Sequence, residues 1–380
     1  MTEDRMSGQA SAPLAGLRIL EMAGIGPGPF CGMMLADHGA EVIRVERPGP
    51  PGMVDPMRDP LLRSRRTMSL DLKQPEAIAA VRRLAATCDG LIEGFRPGVM
   101  ERLGLGPETL LSDNPALVYG RMTGWGQTGP LAHEPGHDID YLAISGTLHA
   151  LGEAGRKPTA PINLAADFGG GGMMLAFGML AAILQAQVSG VGQVVDCAMT
   201  EGSAVLASMV WGFRAQGMWS DARGTNLLDG GAPFYDTYET ADGKWIAVGA
   251  IEPQFYAALR RVMELDGAEW NAQFLPAVWP VLKRELVQRF KRRTRDEWVA
   301  AFEGHEACIA PVLGFDEAIA HPHNLARAAF VTAGGVTQPA PAPRYSVSET
   351  VSPRMAGDHE GAAILAEAGF APAEIAALGF

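Results

Sequence analysis

The sequence predicts an α/β protein with a parallel sheet that is covered by helices on both faces. Short apolar runs, typical of buried strands, alternate with helical patterns through the first half of the chain. The connections between them are short, which favours parallel strands joined by crossover helices. With 380 residues the chain is long enough for two domains, each with its own core.

The elements of the first half follow from apolar spacing and turn residues. Apolar residues at helical spacing predict helices over 29–39 and 75–88, and Pro75 suits the first turn of the second helix. The predicted strands are 17–23, 41–47, 67–72, 90–95 and 117–124.

A long uncharged segment follows at 169–188. Its length is close to that of a membrane span. However, it begins with four glycines, has two glutamines near its end and lacks aromatic or basic anchors at its flanks. We therefore favour a wholly buried core helix over a membrane span. A further helix is predicted over 195–216.

The second half predicts a hairpin followed mainly by helices. Asp242 and Gly243 mark the turn of a hairpin over 234–251. Thr294 suits the N-cap of the helix that starts after it. A Pro-rich stretch at 337–346 predicts an extended segment, and two short helical patterns end the chain.

Composition limits the kind of partner. The net charge of −12 argues against a nucleic-acid partner, which requires a basic face. The four cysteines show no CxxC spacing, so buried free thiols in a reducing compartment are expected rather than disulfides or zinc. The first residues have no apolar run, which excludes a signal peptide and predicts a flexible arm. These observations predict a cytoplasmic protein.

Two segments suggest anionic ligands. The loop "GIGPGPF" at 24–30 joins a strand to a helix, but the third glycine of a dinucleotide fingerprint falls at Pro29, so a tight turn explains it better. Arg47 ends the second strand, and a cluster of arginines follows. That cluster indicates either a phosphorylated ligand or a solvated basic loop; its members are Arg58, Arg63, Arg65 and Arg66.

The segment "GHDIDY" at 136–141 places His137 beside two aspartates. No second histidine stands at ligand spacing, so a metal site is not expected. His137 is then either a structural histidine or a base. Further along the chain, Asp167 stands just before the four glycines Gly169–Gly172, with one phenylalanine between them. Asp167 either caps a helix or acts as an acid/base beside glycine amides that a ligand oxygen can approach.

Glu252 and Ser203 are two further candidates for a role in catalysis. Glu252 precedes Pro253 at a strand-to-helix junction, where an acid also suits the helix dipole. No G-x-S-x-G motif is present, since the sequence around Ser203 is "EGSAV", so a serine hydrolase is not expected.

Taken together, ordered segments from about residue 14 to the C-terminal helices resemble the α-methylacyl-CoA racemases, within the family III CoA-transferase superfamily. The segments are LAGLRILEMAGIGPGPF, GAEVIRVERPG, SLDLKQP, FRPGVMERLGLGPE, GRMTGWGQTGP, GHDIDY, NLAADFGGGG, GQVVDCAM and LDGGAPFYDTYET. The resemblance implies a Rossmann-like large domain with a parallel sheet, a smaller α+β domain and an interlocked homodimer.

The resemblance also implies domain boundaries. These are a flexible arm at 1–13, a large CoA-binding domain at 14–215 completed by 335–380, a linker at 216–233, a small domain at 234–325 and a return linker at 326–334.

The resemblance implies an acyl-CoA substrate, with CoA as part of the substrate and no separate cofactor or metal. His137 and Asp167 would be the two catalytic bases, with Glu252 of the partner chain near His137. Arg47 would contact the adenosine end of CoA. The other residues implied in CoA binding are Ser69, Leu70, Asp71, Leu72, Gly94, Phe95, Arg96, Arg102, Gly136, Asp138 and Tyr141.

The sequence is compatible with three functions. A racemase would invert the α-carbon of a 2-methylacyl thioester with one base on each face of an enolate. A CoA-transferase would use Asp167 as a nucleophile, and His137 favours the racemase. A CoA-binding regulator would need neither base.

Overall fold

The structure, a computed structural model, describes residues 12–50, 54–357 and 359–380, so the predicted arm at 1–13 lies almost entirely outside the described residues. The described chain divides into two compact units. The first comprises 12–145, Pro161–Leu206 and His323–Phe380, and the second comprises Gly146–Ala160 and Ala207–Pro322. These bounds differ from the predicted boundaries at 215 and 335.

The first unit contains a six-stranded sheet in which every neighbouring pair is parallel. Its order is β3-β2-β1-β4-β5-β6. The chain adds strands on one side of β1 as far as β3 and then on the other side from β4, so the strand order reverses between β1 and β4. The predicted parallel α/β fold is therefore confirmed. The strands are β1 Arg18–Met22, β2 Glu41–Glu46, β3 Arg66–Ser69, β4 Gly90–Glu93, β5 Val118–Thr123 and β6 Val194–Ala198.

The sixth strand corrects one prediction. Residues 195–216 were expected to form a single helix, but 194–198 pair with β5 and extend the sheet. Two shorter helices follow, Met199–Leu206 and Ser208–Ala215. The β-branched pair Val194 and Val195 favours a strand here, and the pairing with β5 outweighs the helical spacing.

Helices pack on both faces of the sheet. One face is contacted by the helices Pro27–Asp37 and Met174–Ser189. The core on the other face includes residues of the helices Pro75–Ala85 and Gly361–Glu367. In chain order the α-helices are α1 Pro27–Asp37, α2 Pro75–Ala85, α3 Val99–Arg102, α4 Pro107–Asp113, α5 Asp138–Ser145, α6 Thr147–Ala150, α7 Met174–Ser189, α8 Met199–Leu206, α9 Ser208–Ala215, α10 Pro253–Met263, α11 Trp279–Phe290, α12 Arg295–Phe302, α13 Phe315–Ala320, α14 Pro322–Ala326, α15 Gly361–Glu367 and α16 Pro372–Ala377.

The arginine cluster forms ion pairs within the protein. Three of its four members therefore neither bind a phosphorylated ligand nor belong to a solvated loop. Arg63 is buried and donates to Asp37, with Nε to Oδ1 at 2.9 Å. Arg65 is buried against Glu21, with Nε to Oε2 at 3.1 Å. Arg66 pairs with three glutamates, Glu41, Glu360 and Glu367. Arg58 is exposed.

The glycine-led helix begins earlier than expected and is only partly buried. A π-helix spans Leu164–Met173 and continues into α7. Within the described residues, one helix, Leu164–Ser189, is long and apolar enough to cross a membrane; its most apolar window has a mean hydropathy of 1.5 and is 44% buried. The wholly buried helix that we expected is therefore not observed. Phe177, Leu184 and Val188 of α7 are exposed.

The second unit contains the predicted hairpin. β7 (Tyr235–Glu239) and β8 (Trp245–Gly249) are antiparallel, and β9 (Ile309–Pro311) pairs with β8. Gly243 at the turn has φ +74°, which favours glycine. Thr294 caps α12 in a capping box with Glu297, as predicted. In the first unit, β10 (Phe330–Ala333) and β11 (Val336–Pro339) form a further hairpin.

The cysteines are all free, but only three are buried as expected. Burial raises the pKa of Cys88 and of Cys197 to about 12, and it also raises that of Cys31. These thiols are therefore protonated at neutral pH. Cys308 is exposed.

Candidate active site

A cavity of about 650 Å³ opens where the strand order of the sheet reverses. Its walls come from the segments that follow the carboxyl ends of β1, β4 and β5, including Gly26, Arg96 and Trp125. Open parallel sheets bind ligands at this place, because neighbouring connections there leave on opposite faces and a crevice remains between them. His137 and Asp167 also line this cavity.

His137 lies at the entrance to α5. Its carbonyl accepts the N–H of Asp140 at 2.9 Å, and its own N–H donates to the Oδ2 of Asp140, also at 2.9 Å. This reciprocal pairing satisfies backbone groups at the helix start. His137 is exposed, and among the described residues its ring has no hydrogen-bond partner. The backbone of His137 is thus fixed at a position that lines the cavity.

Asp138 connects the two predicted bases. Its carboxylate is buried, and one oxygen, Oδ2, accepts the backbone N–H groups of Ala166 and Asp167, both at 2.9 Å. These amides lie in the first turn of the π-helix, where they lack partners within the helix. Asp138 therefore fixes the backbone of Asp167. Its contact with CoA, which the resemblance implies, stays a prediction.

The Asp167 carboxyl group lies between a donor and a glycine. Its Oδ2 accepts the side-chain amide of Asn163 at 2.7 Å. A Cβ at Gly26 would lie 3.2 Å from the same oxygen, so glycine leaves room for the carboxylate at this turn. Burial and the neighbouring Asp138 raise the pKa of Asp167, while Asn163 and His137 oppose the rise. A raised pKa suits a group that accepts and returns a proton near neutral pH.

The four glycines do not have the role predicted for them. They lie inside the π-helix rather than at its start, and none of them lines the cavity. Gly170 packs against the backbone of Gly202 on α8, and Gly172 packs against Phe30 of α1. The expectation that their amides meet a ligand oxygen is therefore wrong. Their absent side chains allow three helices to approach closely.

The aromatic ring of Tyr141 forms one wall of the cavity. It packs edge to face on Trp125 at 4.8 Å between ring centroids, and its hydroxyl donates to the carbonyl of Gly136. A Cβ at Gly124 would collide with this ring. Burial raises the pKa of Tyr141 to about 12, so it is protonated at neutral pH.

The other residues implied in CoA binding follow strand ends at the same edge of the sheet. Gly94, Phe95 and Arg96 line the cavity after β4, together with Gly136 and Tyr141. Arg47 follows β2 and is exposed, whereas Leu70 after β3 is buried. The remaining positions lie at the end of β3, directly after it, and at the end of α3: Ser69, Asp71, Leu72 and Arg102.

Glu252 belongs to the second unit, where it precedes α10 and its carbonyl accepts the N–H of Tyr256 at 2.9 Å. Its relation to His137 stays a prediction. In the described part of the chain no group of three or more His, Cys, Asp or Glu side chains could hold a metal ion.

Sequence reasoning missed Asn163 and Trp125. Asn163 has φ +60°, a conformation that asparagine adopts more readily than most residues, and it stands four residues before Asp167. That spacing beside a catalytic candidate was the available signal. Trp125 had none, because its place depends on packing against Tyr141.

Comparisons with known proteins show the family to which the chain is similar. The sequence profile of CoA-transferase family III matches residues 14–357. The alpha-methylacyl-CoA racemase of Mus musculus is 48% identical over 367 residues, which cover 95% of this chain and 95% of that protein. The succinyl-CoA:glutarate CoA-transferase of Homo sapiens is 29% identical over 377 residues, covering 91% of this chain and 84% of that protein.

A solved structure shows the same architecture. A CAIB/BAIF family protein from Brucella suis has a TM-score of 0.82 to this chain at 26% identity, and the match covers 95% of this chain and 100% of that one. The six-stranded parallel sheet with its helices is therefore a shared fold.

Proposed function

The chain belongs to the family III CoA-transferases, and we propose that within this family it is a racemase that inverts the α-carbon of 2-methylacyl-CoA thioesters. The observation that supports this most directly is that His137 and Asp167 line one cavity at the switch point of the sheet. The 48% identity to a mouse protein named alpha-methylacyl-CoA racemase, over 95% of both chains, supports the same activity.

The chemistry requires two groups that exchange a proton with the same carbon. A base on one face of the α-carbon removes its proton, which leaves a planar enolate, and an acid on the other face returns a proton. A neutral imidazole and a carboxylic acid can exchange these roles when the direction reverses. We assign His137 to the S epimer and Asp167 to the R epimer. The raised pKa of Asp167 favours its taking part as either acid or base.

In this proposal CoA lies along the edge of the sheet formed by the strand ends. Arg47 and Arg102 contact its charged groups, and the 94–96 loop contacts the part nearer the thioester. CoA is part of the substrate, and the proton transfer uses no separate cofactor.

A homodimer belongs to the same proposal. The first unit exposes a run of large apolar side chains on α7 and α8, namely Phe177, Leu184, Val188, Val205 and Leu206. Phe177, Leu184 and Val188 share one face of α7, at spacings of seven and four residues. An exposed apolar face is typical of an interface, and a second copy of the chain is the partner we propose. Glu252 of that copy then orients the ring of His137. The buried free thiols suit a reducing, cytoplasmic location.

The alternative is CoA transfer between carboxylic acids, with Asp167 as nucleophile. The 29% identity to a human CoA-transferase favours this less than the racemase. A nucleophilic Asp167 would also have no need of a base at His137.

The test follows the α-hydrogen of each pure epimer of a 2-methylacyl-CoA by NMR in heavy water. The natural protein should exchange the hydrogen for deuterium and invert the centre. His137→Ala and Asp167→Ala should each lose most inversion, by roughly 10²–10⁴-fold. In His137→Ala, Asp167 should still exchange the α-hydrogen of the R epimer for deuterium, with retention of configuration at the α-carbon.

No α-exchange by the natural protein, with transfer of CoA to an added acid instead, would establish the alternative. Inversion by His137→Ala at the full rate would contradict the two-base mechanism.

A further inference from the structure

Glu93 is a buried carboxylate to which neither proton transfer nor CoA contact assigns a role. It is the last residue of β4, at the point where the strand order reverses, and its side chain is only 1% exposed. The loop that follows it lines the cavity through Gly94, Phe95 and Arg96.

The Glu93 carboxylate is fixed by two donors. Its Oε2 accepts the backbone N–H of Phe95 at 2.7 Å, and its Oε1 accepts the Nε of Arg121 at 3.1 Å. Arg121 is the register partner of Glu93 on β5. The first turn of the cavity loop is thus attached to the neighbouring strand through this carboxylate.

Arg121 extends the connection to α3. Its Nη1 donates to the Oε1 of Glu101 at 2.8 Å. Glu101 stands next to Arg102 on this short helix, which begins after Gly98 in a left-handed conformation (φ +82°). One guanidinium therefore joins the end of β4, the loop and the helix that bears Arg102.

The charge on Glu93 changes in the neutral range. Burial raises its pKa to about 7, although the Phe95 amide and Arg121 both stabilise the charged form. The other titratable groups that face it are Glu101, which adds to the rise, and Tyr119 of β5, whose own pKa burial and Glu93 raise.

We propose that Glu93 is a positioning residue for CoA: its ionised carboxylate orders the 94–96 loop and, through Arg121 and Glu101, the start of α3, so that CoA affinity falls when Glu93 is protonated. This inference rests on the proposed function only in taking CoA as the ligand.

Two effects of protonation oppose each other. A neutral carboxyl group accepts the Phe95 N–H more weakly and leaves Arg121 with one charged partner, which loosens the loop. Protonation also removes a negative charge from the neighbourhood of the CoA phosphates, which would favour binding. The first effect acts through direct contacts of 2.7 Å and 3.1 Å. The second acts only at longer range, between charges that are not in contact, and Coulomb energy falls with distance, so the loss of order dominates.

The experiment measures CoA affinity by calorimetry for the natural protein and for Glu93→Gln, from about pH 6 to about pH 8, on either side of the expected pKa. At the upper end the variant should bind CoA about tenfold more weakly. At the lower end the two affinities should converge. The phosphates of CoA titrate in the presence of either protein, so the ratio of affinities isolates Glu93.

The matched control is Glu41→Gln, which also removes a carboxylate paired with arginine, here Arg18 and Arg66, but at the first residue of β2 and so at the opposite edge of the sheet. Its affinity ratio to the natural protein should stay near one. Hydrogen exchange of the 94–103 segment in the natural protein gives a second measurement that needs no variant. After correction for intrinsic exchange, protection should fall at the lower pH.

A ratio that is constant with pH, tighter binding by Glu93→Gln, or unchanged protection would each overturn the inference. No CoA binding by the natural protein at any pH would instead overturn the proposed function.

Discussion

At the scale of single residues, the two predicted bases have different kinds of support. His137 is fixed by Asp140 within its own helix start. Asp167 is fixed by Asn163 at the N-cap of its helix and by Asp138 of α5. The side chain of Asp167 is therefore sensitive to its neighbours in both position and pKa.

Asp138→Asn should lower the pKa of Asp167, because it removes a negative charge that raises it. The acidic limb of the pH–rate profile for exchange of the R epimer should then move to lower pH. The asparagine oxygen can still accept the N–H groups of Ala166 and Asp167, so the fold should persist. The profile is measured as deuterium incorporation against pH.

Asp140→Asn is the matched control, since it alters a carboxylate in the same helical turn that does not shift the pKa of Asp167. Its acidic limb should stay in place for the R epimer. Equal shifts in both variants would show that the limb reports a general change in charge.

Asp167 also links stability to pH. Its pKa is raised in the folded chain, so the fold favours its protonated form, and its contribution to stability decreases as pH rises from the ordinary carboxyl range through the folded pKa. Asp167→Asn should therefore be more stabilising at neutral pH than near pH 4, the ordinary carboxyl pKa. Thermal unfolding of the natural protein and the variant at both pH values measures the stabilisation. A larger stabilisation by the variant near pH 4 than at neutral pH would contradict the prediction.

At the scale of elements, the closest contact described above joins the π-helix to α8 through glycines. A Cβ at Gly202 would collide with the carbonyl of Gly170. Gly202→Ala should therefore destabilise the fold by about 1–3 kcal/mol, as overpacking does, and lower activity because Asp167 lies on the displaced helix. Urea unfolding and the exchange assay measure the two effects.

Gly212→Ala provides the control within a neighbouring helix. Gly212 lies inside α9, and a Cβ there would meet nothing within 4 Å. Alanine should stabilise this helix by about 0.5–1 kcal/mol. Similar losses in both variants would mean that glycine conformation, rather than the contact with Gly170, determines the result.

The elements show what the sequence could and could not predict. Five strands of the sheet and the Thr294 cap were predicted, because apolar runs and capping boxes are local signals. β6 was missed because its strand character depends on pairing with β5. The arginine cluster was misjudged because Asp37, Glu21 and Glu360 are distant in sequence. In the site, motifs predicted His137 and Asp167, which line one cavity, but the contact between Asp138 and the π-helix depends on tertiary structure.

At the scale of the whole molecule, a substitution on the exposed apolar face of α7 tests the proposed homodimer. Phe177 is 74% exposed. If a second copy covers it, Phe177→Glu should convert the dimer to a monomer in analytical ultracentrifugation, because a buried charge without a partner costs several kcal/mol. Phe315→Glu, at a ring 90% exposed on α13, should leave the mass unchanged. A monomeric natural protein would contradict the dimer.

The discontinuity of the first unit has a consequence for biosynthesis. Its last segment begins at His323, after the whole of 207–322 has been translated, yet Ile364 and Leu365 pack into the same core as strands β1 and β2. The second unit can therefore reach its native state on the ribosome while the sheet of the first still exposes apolar surface. Such late, sequence-distant contacts slow folding and prolong exposure to aggregation. A chain released after Pro322 should thus be a chaperone substrate, because its sheet lacks the core partners Ile364 and Leu365.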